Sequence, residues 1–415
     1  MRRLLGSGIF VLIILLIDWY VFQSVKLVSQ HLSIRWKTII YGAYWAVTVL
    51  VVAFILLGPV INFDNIPKLL RTYLLAIVIG LFLAKFVASI VFIVDDLRRL
   101  VQWGGGKLYY GLVADEKFEG LSISRSVFLS WLGLAVGGSL FGSLLYGFGN
   151  KYKYRIERLK LSFKDLPEAF KGMKIVHISD IHSGSFTDVK AVEKGVKKIL
   201  EEKPDLILFT GDLVNDRAAE MDEYIEVFSQ LTAPLGVFST LGNHDYGDYK
   251  PWKDADEKVA NLNQLKKIHA DMGWKLMMNE HVPLEKNGEK IALLGIENWG
   301  AKGNFPKYGR MADAYAGTEQ YSFKILMSHD PSHWDAEVRK AFKDINLTLS
   351  GHTHGMQFGI EIPGFRWSPV QYMYKQWAGL YEDDHQKLYV NRGFGFLGYP
   401  GRVGILPEIT VIELA

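Results

Sequence analysis

The sequence predicts an α/β protein in two parts: four transmembrane helices over residues 1–150, then an α/β domain over residues 151–415. Three observations carry that prediction. Apolar runs at about 4–24, 39–62, 70–94 and 127–149 each reach the roughly 20 residues that a helix needs to cross a hydrocarbon core about 30 Å thick. From about residue 155 onward, strand-like apolar runs alternate with stretches that are apolar on one helical face, the pattern of a sheet covered by helices. Five segments that offer carboxylate, carboxamide or imidazole side chains each follow directly behind a strand-like run. They are Asp180-Ile-His182, Gly211-Asp212, Gly242-Asn243-His244-Asp245, Ser328-His329-Asp330 and Gly351-His352-Thr353-His354.

Composition narrows the chemistry. A net charge of +3 over 415 residues gives no bulk attraction to nucleic acid. The chain has no cysteine, which excludes disulfides and thiolate metal sites. Hard oxygen ligands mixed with imidazoles suit Zn, Mn or Fe.

Taken in order, the first apolar run follows Arg2 and Arg3 as a secretory signal would. It is too long and lacks a small-residue cleavage site, so it reads as a retained helix. Trp19, Tyr20, Tyr41 and Tyr44 fall where aromatic belts meet the membrane surface. Lys85 stands out as a charge within a span. A polar connection at about 95–126 holds Gly104-Gly105-Gly106; no P-loop lysine-serine pair follows it, so it reads as a flexible turn. The basic stretch Lys151 to Lys160 reads as a first strand with a solvated face, or else as a collar on lipid phosphates.

In the second part, strands are expected at 174–179, 206–210, 235–240, 291–296, 323–327 and 347–349, with helices at 189–202 and 221–231. The metal-binding types then sit at the carboxyl ends of strands, where open α/β sheets place their sites. Gly211, Gly242 and Gly351 let the chain turn sharply there.

On these five motifs, with Gly351-His-Thr-His354-Gly-Met-Gln357, Asn391-Arg392-Gly393 and Pro407-Glu408-Ile409, the chain resembles the calcineurin-like metallophosphoesterases across about residues 172–415. Within them it is similar to the membrane-associated YkuE/YaeI-like branch. The resemblance implies a metallophosphoesterase α/β sandwich and two divalent metal ions. Asp180, His182, Asp212 and His354 would hold one ion; Asp212, Asn243, His329 and His352 would hold the other, with Asp212 shared. His244 would act catalytically at the leaving or phosphoryl oxygen, oriented by Asp245. The implied reaction is hydrolysis of a phosphoester or pyrophosphate bond by metal-activated hydroxide. Since the spans hold the site near the bilayer, the expected substrate is lipid-linked or otherwise amphiphilic, such as UDP-2,3-diacylglucosamine or a polyprenyl or phospholipid phosphate. A non-catalytic phosphate sensor and a small transporter with a hydrolytic appendage are the competing readings.

Other residues read less sharply. His177, His269, His281 and His385 read as ordinary polar residues, and His333 as capping or solvating a helix start. The loop Asn298 to Arg310 either shapes a substrate pocket or is a solvated connection. Phe365, Trp367, Tyr372, Met373, Tyr374 and Trp377 are core, or else an apolar shelf toward acyl chains. Arg392 and Arg402 either bind phosphate or are solvated at the surface.

Basic residues Lys26, Arg35, Lys37, Arg98, Arg99, Lys107, Lys117 and Arg125 flank one face of the spans, against Arg2, Arg3, Lys68, Arg71 and the 151–160 cluster on the other. Ser124-Arg125-Ser126 resembles a decayed twin-arginine export signal. Together these lean the catalytic domain of an integral cell-membrane protein toward the extracytoplasmic side, with the cytoplasmic face as the alternative.

Overall fold

The computed structural model describes residues 2–57, 66–112, 124–303 and 305–415; Lys117, Asn304 and the end of the second predicted span lie outside the described residues. The chain divides into two compact units, Met1–Tyr146 and Gly147–Ala415.

The first unit is helical: α1 (Arg2–Val28), α2 (Ile34–Leu57), α3 (Lys68–Leu112) and α4 (Val127–Gly147). Each contains a stretch long and apolar enough to cross a membrane. The outward faces carry large apolar side chains such as Trp19, Leu50 and Phe128, as a lipid solvent requires.

Two expectations change here. The glycine triplet does not turn: α3 runs on through Gly104–Gly106 for 45 residues, roughly 67 Å at 1.5 Å per residue, well beyond a hydrocarbon core. A glycine costs a helix about 1 kcal/mol relative to alanine, which neighbouring turns can carry.

Nor is Lys85 solitary. Its ammonium lies 2.7 Å from Asp18 of α1. Thr48 also donates to that carboxylate, and Tyr44 donates to the Asp18 carbonyl at 2.8 Å. An intramembrane charge is tolerable when paired in this way. Replacing Asp18 with leucine leaves Lys85 without its counter-ion; the detergent-solubilised protein is expected to melt lower than wild type, and Asp18→Leu combined with Lys85→Leu is expected to recover most of the loss.

At the end of α1, Tyr20 donates to Asp96 at 2.6 Å, and Arg125 pairs with Asp96 at 3.0 Å. The Ser126 N–H donates to Asp95 at 2.9 Å, and the Ser126 hydroxyl accepts from the Leu129 N–H at 3.2 Å. Tyr20 is thus half-buried against α3, and the Arg125-Ser126 pair has a structural role in starting α4.

The second unit holds two six-stranded sheets. Its strands are β1 (Arg155–Leu161), β2 (Lys174–Ile178), β3 (Leu206–Phe209), β4 (Val237–Ser239), β5 (Lys275–Leu276), β6 (Glu280–Lys286) and β7 (Glu289–Gly295). They continue with β8 (Lys324–Met327), β9 (Leu347–Ser350), β10 (Ile360–Ile362), β11 (Phe365–Trp367), β12 (Gly379–Asp383), β13 (Gln386–Val390) and β14 (Glu408–Leu414). One sheet is ordered β1-β14-β2-β3-β4-β5 and the other β12-β13-β9-β8-β7-β6, while β10 and β11 form a separate hairpin. The basic stretch after α4 does become a strand, β1, paired in parallel with β14.

The sheets pack face to face. Ile175, Leu206, Leu208 and Ile412 of the first meet Leu293, Ile325, Leu347 and Leu349 of the second in one buried cluster. These strands are apolar on both faces because helices cover the other side. Over the first sheet lie α5 (Val189–Glu201), a short α6 (Ile225–Phe228) and α7 (Ala255–Asp271), burying Val192, Val196, Ile199, Leu265 and Ile268. The predicted helix at 221–231 shrinks to α6, flanked by a 3-10 turn at Ala218–Met221. The parallel strands β2, β3, β4, β8 and β9 all end at one edge of the sandwich, and the five motifs emerge there.

Candidate metal centre

The strand ends turn abruptly, and their backbone records it. Asp180, His182, Asp212, His352 and His354 all adopt left-handed φ, between 48° and 71°. Such conformations cost a non-glycine residue of the order of 1–2 kcal/mol and tend to concentrate where function fixes a side chain. Gly242 and Gly351 serve by close approach instead of by positive φ. A Cβ on Gly242 would collide with the Asp212 carboxylate, and one on Gly351 with Asp180 and Ser179.

The result is convergence of residues spread over 175 positions of sequence into one buried cluster. His182 Nε2 and His354 Nε2 face each other at 3.0 Å, and His354 Nε2 lies 3.3 Å from Asp180 Oδ1. Asp212 Oδ2 lies 3.5 Å from His182 Nε2 and 3.1 Å from His329 Nε2. His352 Nδ1 lies 2.8 Å from Asn243 Oδ1. The ligand atoms of Asp180, His182 and His354 all fall within 4.8 Å of one another, as do those of Asp212, His329 and His352; either group could hold a metal ion. The structure therefore brings together all seven residues that the sequence singled out as ligands.

Charge in the cluster is strongly coupled. Against the effect of burial, His329 and His244 hold Asp212 well below the usual carboxylate range. Against its own burial, His329 is pushed up to about 10 by Asp212. Burial pushes His182 down to about 3. The outer nitrogens are oriented by the protein: His329 Nδ1 donates to the Thr210 carbonyl at 2.7 Å, which leaves Nε2 facing Asp212. His352 Nε2 meets the Tyr374 hydroxyl at 2.9 Å.

His244 lies beside the cluster. Its backbone N–H donates to Asp212 Oδ1 at 2.9 Å, and its Nδ1 faces the Asn215 carbonyl at 2.8 Å. A carbonyl only accepts, so Nδ1 carries the proton. The expectation that Asp245 orients His244 is overturned. Asp245 is fully buried, and its carboxylate accepts the backbone N–H groups of Gly242, Asp212, Leu213 and Val214 at 2.8–3.3 Å. It fixes two ligand-bearing turns against each other, while Asn215 orients the imidazole. Sequence adjacency suggests the pairing, but the two side chains have separate partners, backbone N–H groups for Asp245 and the Asn215 carbonyl for His244.

A cleft of about 270 Å³ opens over the cluster, walled by Tyr249, Phe305 and Leu397. Phe305 comes from the Asn298–Arg310 loop, so that loop shapes the pocket. Tyr249 and Leu397 have no sequence signal; they arrive through the loop after Gly242 and the loop before Tyr399.

The remaining expectations sort as follows. His177 and His269 are buried core residues, bonded to Thr210 and Ser239 at 2.9 Å, and burial lowers them to about 4 and about 3. His333 starts a helical turn but is buried, between Ser328 at 3.0 Å and Glu337 at 3.1 Å. Arg392 and Arg402 are not solvated. Arg392 pairs with Glu408 and Glu361. Arg402 is fully buried and donates to the carbonyls of His354, Arg392, Gly393 and Gly395, with its guanidinium 3.3 Å from His354 Nδ1. Both arginines scaffold the segment behind the ligands. The aromatic stretch divides: Tyr374 and Trp377 are buried, whereas Phe365, Tyr372 and Met373 are exposed.

Comparison with known proteins places this geometry. A calcineurin-like phosphoesterase family model matches residues 173–356, and one for a probable calcineurin-like phosphoesterase transmembrane domain matches residues 1–150. The chain is 31% identical to the uncharacterized metallophosphoesterase YkuE of Bacillus subtilis, over 70% of this chain and 98% of that protein. It is 27% identical to the phosphodiesterase YaeI of Escherichia coli, over 70% of this chain and 99% of that one. A transmembrane protein with metallophosphoesterase domain from Danio rerio is 29% identical over 63% of this chain and 57% of its own length. Since both the spans and the clustered strand ends fall inside these matches, the chain belongs to the calcineurin-like phosphoesterase family, as an integral membrane, metal-dependent phosphoesterase.

Proposed function

We propose that residues 151–415 hydrolyse a phosphoester or pyrophosphate bond in a lipid-linked substrate, using two divalent ions, while residues 1–150 hold the site at the bilayer. The carrying observation is the buried convergence of nitrogen and oxygen ligand atoms at the cluster. His329 Nε2 is buried with no hydrogen-bond partner, although it lies 3.1 Å from Asp212. His182 and His354 present nitrogen to nitrogen, and His352 presents nitrogen to the Asn243 oxygen. Atoms arranged in this way suit cations placed between them.

In this reading Asp180, His182, Asp212 and His354 hold one ion, and Asp212, Asn243, His329 and His352 the other. When bound, two such ions supply Lewis acidity to the phosphoryl group and acidify water for hydrolysis. The protein's own part is positioning and proton handling. His244 keeps Nδ1–H on the Asn215 carbonyl; as the imidazolium it would give the Nε2 proton to the departing oxygen and remain as the neutral ring held through Nδ1–H. Tyr249, Phe305 and Leu397 narrow the cleft and exclude water. At about 270 Å³ the cleft admits a phosphate and its nearest substituents but not acyl chains, which suits an amphiphile whose tail stays outside.

His244→Ala is expected to lower turnover of bis(p-nitrophenyl) phosphate by roughly 10²–10⁴-fold with metal content unchanged by mass spectrometry; full turnover would remove His244 from the chemistry. EDTA is expected to abolish activity, with Mn, Zn or Fe restoring it. Lipid extracts of cells lacking the gene should accumulate one phosphorylated lipid. Accumulation of a water-soluble phosphodiester alone would refute the lipid reading.

We place the catalytic domain on the extracytoplasmic side. Over the connections between spans, Lys26, Arg35, Lys37, Arg98, Arg99, Lys107, Lys117 and Arg125 outnumber Arg2, Arg3, Lys68 and Arg71, which supports the assignment, although the Lys151–Lys160 cluster, when counted in, erases that margin. A C-terminal alkaline phosphatase fusion should be active; an inactive alkaline phosphatase fusion beside a fluorescent GFP fusion would reverse it.

A further inference from the structure

The β10–β11 hairpin is built with its polarity reversed. In register, Ile360 faces Trp367, Glu361 faces Arg366 and Ile362 faces Phe365. A two-stranded ribbon on a soluble domain normally turns its apolar face inward. Here Glu361 points into the protein, where Arg392 pairs with it, whereas Ile360, Ile362 and Phe365 are 48%, 59% and 52% exposed. The following turn adds Tyr372 at 77% and Met373 at 56%. Among the described residues of the second unit these are most of the exposed large apolar side chains, and they fall within one segment of 14 residues. Contiguous exposed apolar surface of this kind marks a binding face.

The hairpin is also tied to the start of the second unit. α4 ends at Gly147. The Gly147 carbonyl accepts the Arg402 N–H at 3.0 Å, and the Asn150 side chain donates to the Arg402 carbonyl at 3.1 Å. The next residue, Val403, donates to the Gln357 carbonyl at 2.8 Å and accepts from the Gly359 N–H at 2.9 Å. Gly359 leads directly into β10. These bonds lead, within the second unit, from its first residue Gly147 to the apolar ribbon. Lys302, which donates to the Met373 carbonyl at 2.6 Å, and Lys375 supply cations at the ribbon's margin.

We infer that this ribbon and the turn after it rest in the surface of the bilayer that the spans cross, with Ile360, Ile362 and Phe365 immersed at the boundary of headgroups and acyl chains. Apolar side chains bordered by tyrosine, tryptophan and lysine suit that layer. His354 lies six residues before this segment, and Tyr374, directly after it, touches His352. A bilayer-seated ribbon therefore sets the cleft at headgroup height, where a lipid-borne phosphate can reach it without leaving the membrane. That last step rests on the lipid-substrate reading above; the seating of the ribbon does not.

The absence of cysteine gives a clean test. Full-length protein carrying Ile362→Cys, Phe365→Cys or, as a control on α7, Val259→Cys is labelled with an environment-sensitive fluorophore. It is then reconstituted in phosphatidylcholine–phosphatidylglycerol vesicles with and without doxyl-labelled lipid. Labels at 362 and 365 are expected to shift to the blue and to lose more than half their intensity to the doxyl lipid, while the label at 259 stays water-like. Labels at 362 and 365 that match the one at 259 would overturn the inference. A blue shift without lipid quenching would also overturn it, by assigning the face to a protein partner. The triple variant Ile360→Asp, Ile362→Asp, Phe365→Asp is expected to keep hydrolysis of bis(p-nitrophenyl) phosphate within about twofold and to lose at least tenfold on a fluorescent lipid phosphodiester in vesicles. If the doxyl lipid quenches but the triple variant loses nothing on the lipid phosphodiester, the ribbon's seating stands and the lipid-substrate reading falls.

Discussion

Asp212→Asn is expected to reduce phosphodiester turnover by roughly 10³-fold or more and to empty at least one metal position, measured by steady-state kinetics and metal analysis on the same preparation. The size of the effect follows from how much converges on one carboxylate. Its Oδ2 lies 3.1 Å from His329 Nε2 and 3.5 Å from His182 Nε2, and its Oδ1 accepts the His244 N–H. An amide keeps the shape but loses the charge that two cations would share. The fold should survive, because Asp245 still accepts the backbone N–H groups of residues 212–214. Retained turnover with full metal content would rule out the binuclear assignment.

Arg392→Leu is expected to destabilise the catalytic domain by about 3–5 kcal/mol, a drop of the order of 10 °C in melting temperature. It strands two acidic partners, Glu408 and Glu361. Glu408 is buried and also accepts hydrogen bonds from Tyr389 at 2.6 Å and Thr410 at 2.5 Å. Burial alone would raise its carboxyl, but Arg392 and these donors hold it below the usual carboxylate range. A depressed folded value contributes stability above the unfolded carboxylate value, and that contribution is lost as pH falls through the folded one. The gap between wild type and variant should therefore be full at neutral pH and narrow in acid. Combining Arg392→Met with Glu408→Gln should recover part of the loss, since replacing both charges is far cheaper than stranding one. A melting point within 2 °C of wild type for Arg392→Leu would show that the pair carries little net stability.

The centre was legible because its grammar is local. Each motif follows an expected apolar strand by one or two residues, so spacing alone puts Asp180, Asp212, Asn243, His329 and His352 at strand ends. What stayed hidden depends on distant partners. Arg392 finds Glu408 and Glu361, 16 and 31 residues away, and Arg402 finds four backbone carbonyls. No periodicity announces such partners, and an arginine without a visible partner reads as surface. The partner of Lys85 is hidden for the same reason, since Asp18 lies on another helix. The glycine triplet misled in another way: local propensity favours a turn there, yet α3 continues through it. Asp245 lies next to His244 in sequence, but its carboxylate is taken up by the backbone N–H groups of Gly242 and of residues 212–214, more than 30 positions away.

Asp245 has a wider consequence. Its four hydrogen bonds join the turn after β3 to the turn after β4, the service that a covalent staple performs in small extracellular domains. Because this brace is a carboxylate, assembly of the centre asks nothing of the redox poise on either side of the membrane. Oxidising and reducing surroundings would support the same architecture, and thiol-directed inhibitors would find nothing to attack.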